Sequence, residues 1–328
     1  MLSTGDHTSR SAEIIEGEGM KGYLSAIKRF LTWRLQYSIG DELWFLLNRY
    51  MRKSREVIVD IHGSKMMLDL SDTGICKDLF LYRSREPEST KIFMKELSEG
   101  MKVVDIGANI GYYVLVESRI VGNRGTIYAI EPEPRNFQLF KNNVELNDYS
   151  DRVESFNIAI GNKTGKELFE ISDKCNTHRI AKSSPSDKCI EVPISTLDEF
   201  LKDRSADFVR MDAEGYEYFI MPGMKKTLEK NHPLKLFIEV HPKLIKHYGG
   251  DVEDMLKLLS DADFRVNYVC IWDPSFRNII RPFKGEAIPF EKVIEYKKPL
   301  GDLLENEVTK KIIAGTQTYR IFLEKDTE

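Results

Sequence analysis

Four short stretches carry residues whose types and spacing could do chemistry. The first is VVDIGANIGYY, residues 103–113, where apolar residues lead into Asp105 and then into Gly107 and Gly111. The second is Glu131, at the end of GTIYAIEP. The third is MDAEG, with Asp212 and Glu214, and the fourth is FIEVHP, with Glu239 and His241. Glu239 and His241 are two apart on an expected strand, so their side chains point the same way. Carboxylates and a histidine at strand ends can orient an acceptor group and take its proton. Asp212, Glu214, Glu239 and His241 are also metal-ligand types. Their spacing matches no recognised metal motif, and no metal is expected.

The opening turn bears on which ligand is held. A dinucleotide fingerprint needs G-x-G-x-x-G, so that backbone can approach a pyrophosphate at a helix N-terminus. Gly107 fills the first place, but Asn109 and Tyr112 stand where the other glycines belong. A phosphate loop of the G-x-x-x-x-G-K-[ST] kind needs a lysine, and the turn has none. Glu131 lies at the end of the next strand, where a carboxylate can accept hydrogen bonds from both hydroxyls of a ribose. A ribose acid without a phosphate cradle suits a nucleoside that lacks phosphates, and S-adenosylmethionine (SAM) is one.

These residues need a frame. From residue 102 the chain alternates strand and helix, the pattern of a parallel sheet with helices on both faces. Strands are expected at 102–107, 125–132, 152–161, 207–215, 234–242, 264–270 and 318–325, with helices at about 111–121, 133–147, 216–229 and 252–261. Two antiparallel strands, 166–172 and 189–195, interrupt the alternation around a polar loop that holds His178, Arg179, Lys182 and Lys188. Before the sheet, 56–70 reads as a hairpin around His62 and Gly63, and 88–98 as a helix. Residues 272–316 read as loops and a short helix. Residues 1–20 read as a disordered tail. Residues 21–55 read as a helical extension with Asp41 capping its second helix, and 56–328 as the main domain. The extension is expected to pack on that domain, although its tryptophans and basic residues permit contact with a membrane surface.

Composition narrows the class. Hydrophobic residues make up 41% and charged residues 30% of 328, which fits a globular protein. A formal net charge of -4 argues against a general nucleic-acid binder. The four cysteines are scattered without a C-x-x-C pair, so free thiols are expected. No run of eighteen apolar residues and no apolar leader is present, which makes a cytoplasmic location the default.

The segments VVDIGANIGYY, AIEPEPRNFQLFKNNVELN, NIAIGNKTG and TLDEF…ADFVRMDAEGYEYFIMPGM, in that order, resemble the FkbM family of SAM-dependent methyltransferases over roughly residues 60–245. The resemblance implies a class I methyltransferase fold: a Rossmann-like, mostly parallel α/β sheet of seven strands with the last antiparallel. It implies that Asp105 helps hold the amino group of the methionine portion of SAM. Gly107, Ala108 and Asn109 would lie against SAM, with Gly111 closing the turn, and Glu131 would take the ribose. Asn157 and Ala159 would lie at the adenine, and Glu86 would close over the site. Asp212, Glu214 and His241 are then the candidate catalytic residues for methyl transfer to an oxygen of a sugar, glycan or other small molecule. N-methylation and a catalytically silent binding or scaffold role stay open. Relatives commonly carry lysine where this chain has Arg210.

Overall fold

The structure is a computed structural model that describes residues 40–41, 43–52, 54–172, 175, 177–181, 188–230, 233–272, 291–305, 315 and 317–325. The chain divides into two units, Met1–Lys53 and Ser54–Glu328. In the first, residues 40–41 and 43–51 are helical, so Asp41 lies inside the helix rather than capping it. The expected tail over 1–20 and the first helix from residue 21 lie outside the described residues. No helix among the described residues is long and apolar enough to cross a membrane.

The second unit opens with the expected hairpin, β1 (Glu56–Ile61) and β2 (Ser64–Asp69). Its centre is an eight-stranded sheet. In chain order the strands are β3 (Lys102–Ile106), β4 (Thr126–Ile130), β5 (Val153–Phe156), β10 (Phe208–Met211), β11 (Lys235–Val240), β12 (Phe264–Trp272), β13 (Glu291–Pro299) and β14 (Tyr319–Lys325). Their order in space is β13-β12-β14-β11-β10-β3-β4-β5. Five neighbours from β11 to β5 run parallel, and β14 is antiparallel to both β11 and β12. Seven of these strands form the expected class I arrangement, with the antiparallel strand last in the chain. The apolar residues of β3, β4, β10 and β11 face helices on the two sides, as buried parallel strands must.

Three elements differ from the expectation. The eighth strand, β13, lies where loops were expected. Its residues EKVIEYKKP are mostly exposed at the sheet edge, so they lack the apolar alternation that marks a half-buried strand, and their lysines suit an unpaired edge. The single strand expected at 152–161 is two. β5 stays in the main sheet, while β6 (Ala159–Gly161) joins a second sheet with β7 (Gly165–Glu170), β8 (Arg179–Ile180) and β9 (Cys189–Thr196). The helix expected at 216–229 breaks into Glu217–Ile220, a 3-10 turn Met221–Met224 and Lys225–Lys230. Pro222 withholds a backbone donor there, and a Cβ on Gly223 would run into the Gly161 carbonyl oxygen of β6.

Candidate active site

A cavity with an empty volume of about 850 Å³, open at its mouth, lies at the carboxyl ends of the parallel strands. Ligands bind there in open α/β sheets. Strand order sets out its walls. Ile158 and Ala159 follow β5, Ile130 and Glu131 end β4, Gly107 to Asn109 follow β3, and Asp212 to Glu214 follow β10. Phe169, His178 and Ile180 of the second sheet line it from the other side.

Glycine is required at the first turn. Gly107 has φ +85°, and a Cβ there would strike the carbonyl oxygen of Asp212. That approach brings the β3 and β10 turns together, with Asp212 N donating to Ile106 O at 3.0 Å. Gly107 N and Ala108 N both donate to Ile130 O, at 3.0 and 2.9 Å, which ties the β3 turn to β4. Three candidate residues that are not glycine, Glu86, Asn109 and Glu214, hold positive φ near +50°. Such conformations cost about 1–3 kcal/mol each and gather at functional sites.

Glu131 is buried, and each of its oxygens accepts one backbone N–H. Asn109 N reaches Oε2 and Glu133 N reaches Oε1, both at 2.8 Å. A carboxylate offers about four acceptor sites, so one on each oxygen is left for a ligand. Burial pushes Glu131 up to about 8, against the pull of the two backbone donors. Asn157 stands behind it and donates to the carbonyls of Glu131 and Pro132 at 2.8 and 3.0 Å.

Sheet register builds the charged end. Arg210 lies directly opposite Asp105 on the neighbouring strand, and its guanidinium reaches Asp105 at 2.7 Å and Asp212 at 3.2 Å. The Tyr113 ring lies under that guanidinium, 4.2 Å away. Glu239 lies opposite Arg320 on β14, and Arg320 reaches Glu239 at 2.6 Å, Glu86 at 2.7 Å and Glu291 at 2.9 Å. Glu86 also accepts from Arg85 at 2.6 Å and from the Tyr113 hydroxyl at 3.0 Å. His241 Nδ1 is 2.8 Å from Glu217 Oε1. Seven carboxylates thus share this region with three guanidiniums and one imidazole.

The electrostatics follow. Burial opposes ionisation of Glu86, but Arg320 and Arg85 outweigh it and hold the carboxyl down at about 2. Burial raises Glu239 to about 7 despite Arg320. Burial likewise raises Glu214 to about 8, with His241 opposing and the neighbouring acids adding. Burial works against charge on His241, and the Glu217, Glu214 and Glu239 carboxylates overcome it and raise the ring well above its usual range. Asp105 Oδ2, Asp212 Oδ1 and Glu217 Oε2 of this cluster stay buried without a hydrogen-bond partner among the described residues.

Comparison with known proteins finds methyltransferases. The sequence model of the methyltransferase FkbM domain matches residues 105–266, from the acid of the first turn through β12. This segment is an FkbM methyltransferase domain. Its cofactor is S-adenosylmethionine. Methyltransferase 1 of Beauveria bassiana is 27% identical over 145 residues, 37% of this chain and 57% of the relative. Protein-L-isoaspartate O-methyltransferase of Thermotoga maritima is 36% identical over 64 residues, 19% of this chain and 20% of the relative. The chain therefore spans only part of the curated relatives it matches. Among solved structures, a SAM-dependent O-methyltransferase from Thermotoga maritima has a TM-score of 0.40 at 14% identity, covering 86% of this chain and 82% of that one. TYW2 of P. horikoshii in complex with MeSAdo has a TM-score of 0.43 at 14% identity, covering 84% and 73%.

Within this chain the expected site residues fall into two groups. Gly107, Ala108, Asn109, Glu131, Ala159, Asp212 and Glu214 line the cavity. Glu86, Asp105, Gly111 and Asn157 stand behind its wall, bonded to residues that line it or shaping its turns, and His241 stands there too, bonded to Glu217 and 3.7 Å from Glu214. Sequence reading passed over Arg85, Glu217 and Arg320. Arg320 left one signal, a lone charge in the apolar run TYRIFL. Of the polar loop, His178 reaches the cavity, Arg179 pairs with Glu170 at 3.0 Å, and Lys182 lies outside the described residues.

The residues present fit SAM. Glu131 keeps an acceptor site free on each oxygen for the two ribose hydroxyls. The Gly107 turn leaves no room for a side chain. Asp105, behind the wall, holds Arg210, which lines the cavity. The excess of carboxylates suits a sulfonium cation.

Proposed function

We propose that this chain transfers the methyl group of SAM to a hydroxyl oxygen of a sugar, glycan or other small molecule. The observation that carries the reading is one cavity in which a ribose-binding acid and strand-end acids are two strands apart, on β4 and β10. Ile158 and Ala159 would hold the adenine, Glu131 the ribose and the Gly107–Asn109 backbone the methionine portion, with Asp105 acting on its amino end from behind the wall. When bound, SAM supplies an electrophilic methyl on a sulfonium.

The chain then has to orient an acceptor and receive its proton. Asp212 and Glu214 line the cavity end that faces the acceptor, and both follow β10. Asp212 is fixed by Arg210 and orients the hydroxyl. Glu214, in its ionised form, would receive the hydroxyl proton. His241, held by Glu217 and 3.7 Å from Glu214, positions that carboxylate. The surplus of buried acids repels a polyanion, which favours a neutral hydroxyl acceptor over a nucleic acid.

Methyl-labelled SAM offered with a panel of neutral saccharides, small alcohols and tRNA tests this. Label is expected in a hydroxyl acceptor, and Glu214→Gln is expected to lower kcat by about 100-fold. Label that enters tRNA alone would contradict the acceptor class.

A further inference from the structure

His241 sits in the wall with one nitrogen committed and one not. It is only 8% exposed, and the 2.8 Å bond between Nδ1 and the fully buried Glu217 fixes the ring. Nε2 then faces the strand-end acids, but the nearest carboxylate oxygens are 3.7 Å away on Glu214 and 3.9 Å away on Glu239, beyond hydrogen-bond reach. Asp212 Oδ1 is buried in the same place without a partner. One ligand atom each from Asp212, Glu239 and His241 lies within 4.8 Å of the others. Asp212 Oδ1, buried without a partner among the described residues, thus lies close to Glu239 and to an imidazole nitrogen that has no hydrogen bond to either neighbouring acid.

We propose that Asp212, Glu239 and His241 bind one divalent first-row metal cation of the Mn²⁺ or Zn²⁺ class. Two carboxylates and one imidazole suit such ions. Small side-chain rotations bring the three groups to ligand distances of about 2.0–2.2 Å. Glu217 is the outer carboxylate that fixes the ring and leaves Nε2 to ligate, the cation displacing the proton that the surrounding carboxylates otherwise hold on the ring. The cation also offsets part of the carboxylate excess that three guanidiniums leave. Asp212 lines the cavity, so coordination positions not taken by protein open toward it. The metal's use there, holding the acceptor oxygen and making it more acidic, rests on the methyl-transfer reading. Its binding does not.

The full chain, stripped with a chelator and dialysed, should be titrated with Co²⁺ followed by visible absorption and with Mn²⁺ followed by electron paramagnetic resonance. One site per chain is expected. Asp212→Asn and His241→Ala should each weaken it by about 100-fold, and Glu217→Gln by about tenfold. Circular dichroism identifies variants that stay folded, and Asp212→Asn, a near-isosteric change at a partly exposed residue, serves if His241→Ala does not fold. Absence of binding at millimolar Co²⁺, or equal binding by the folded Asp212→Asn variant, would overturn the site. SAM titrated into the same stripped protein separates the two claims. SAM binding without metal binding defeats only the metal, and metal binding without SAM binding defeats only the methyl-transfer reading.

Discussion

Glu131 is the residue on which cofactor recognition turns. Its two oxygens are already half-satisfied by backbone donors, and the ribose would complete them. Unliganded, burial holds its pKa at about 8, so at neutral pH most molecules carry the proton. Accepting from two hydroxyls favours the ionised form. SAM affinity is therefore expected to rise with pH from 6 to about 8 and then level, and titrations in buffers of different ionisation enthalpy should show proton release below 8. Flat affinity would contradict the assignment. Glu117 is a second buried acid, on the helix Tyr112–Val121, and neither of its oxygens has a partner among the described residues. Burial, with Asp105 adding, raises it well above the ordinary carboxyl range. A raised carboxyl contributes most below its unfolded pKa, and that contribution is lost as pH climbs through the folded value. Glu117→Met should therefore stabilise the protein by about 1–3 kcal/mol. The gain in thermal midpoint should widen from pH 6 to pH 9.

Register between strands places the charged groups, and it explains what could be read beforehand. Asp105, Glu131 and Asp212 were legible because each ends an apolar run whose pattern already marks a strand. Arg320 was not, because its partners Glu86, Glu239 and Glu291 come from elements far apart in the chain and meet only when β14 slots between β11 and β12. The split of β5 from β6 was hidden for a related reason. Their residues share one apolar stretch, and only pairing with β9 shows that β6 has left the main sheet. Two substitutions test the element scale. Arg320→Met leaves buried Glu239 and Glu291 without their guanidinium and Glu86 with Arg85 alone, and denaturant unfolding should show a loss of about 3–5 kcal/mol. Gly107→Ala puts a Cβ against the Asp212 carbonyl at positive φ and should cost about 3 kcal/mol or more. A loss under 1 kcal/mol in either would mean that the turn or the arginine cluster is not as described.

The second unit joins two sheets around a cavity. The main sheet offers its strand ends, and the second sheet adds Phe169, His178 and Ile180. The interruption of strand and helix alternation at 166–195 signalled an insertion, but not that it walls the site. Hydrogen exchange should show that SAM protects both 107–109 and 168–171, the two sides of the cavity. The account's central claim is that this cavity binds SAM through Glu131, and isothermal titration of the full chain tests it most directly. One SAM per chain is predicted, with Glu131→Ala weakening binding by about 2–3 kcal/mol, roughly 30–150-fold, for the lost charge-assisted hydrogen bonds. No heat of binding from folded protein at millimolar SAM, or unchanged affinity in a folded Glu131→Ala variant, would contradict it.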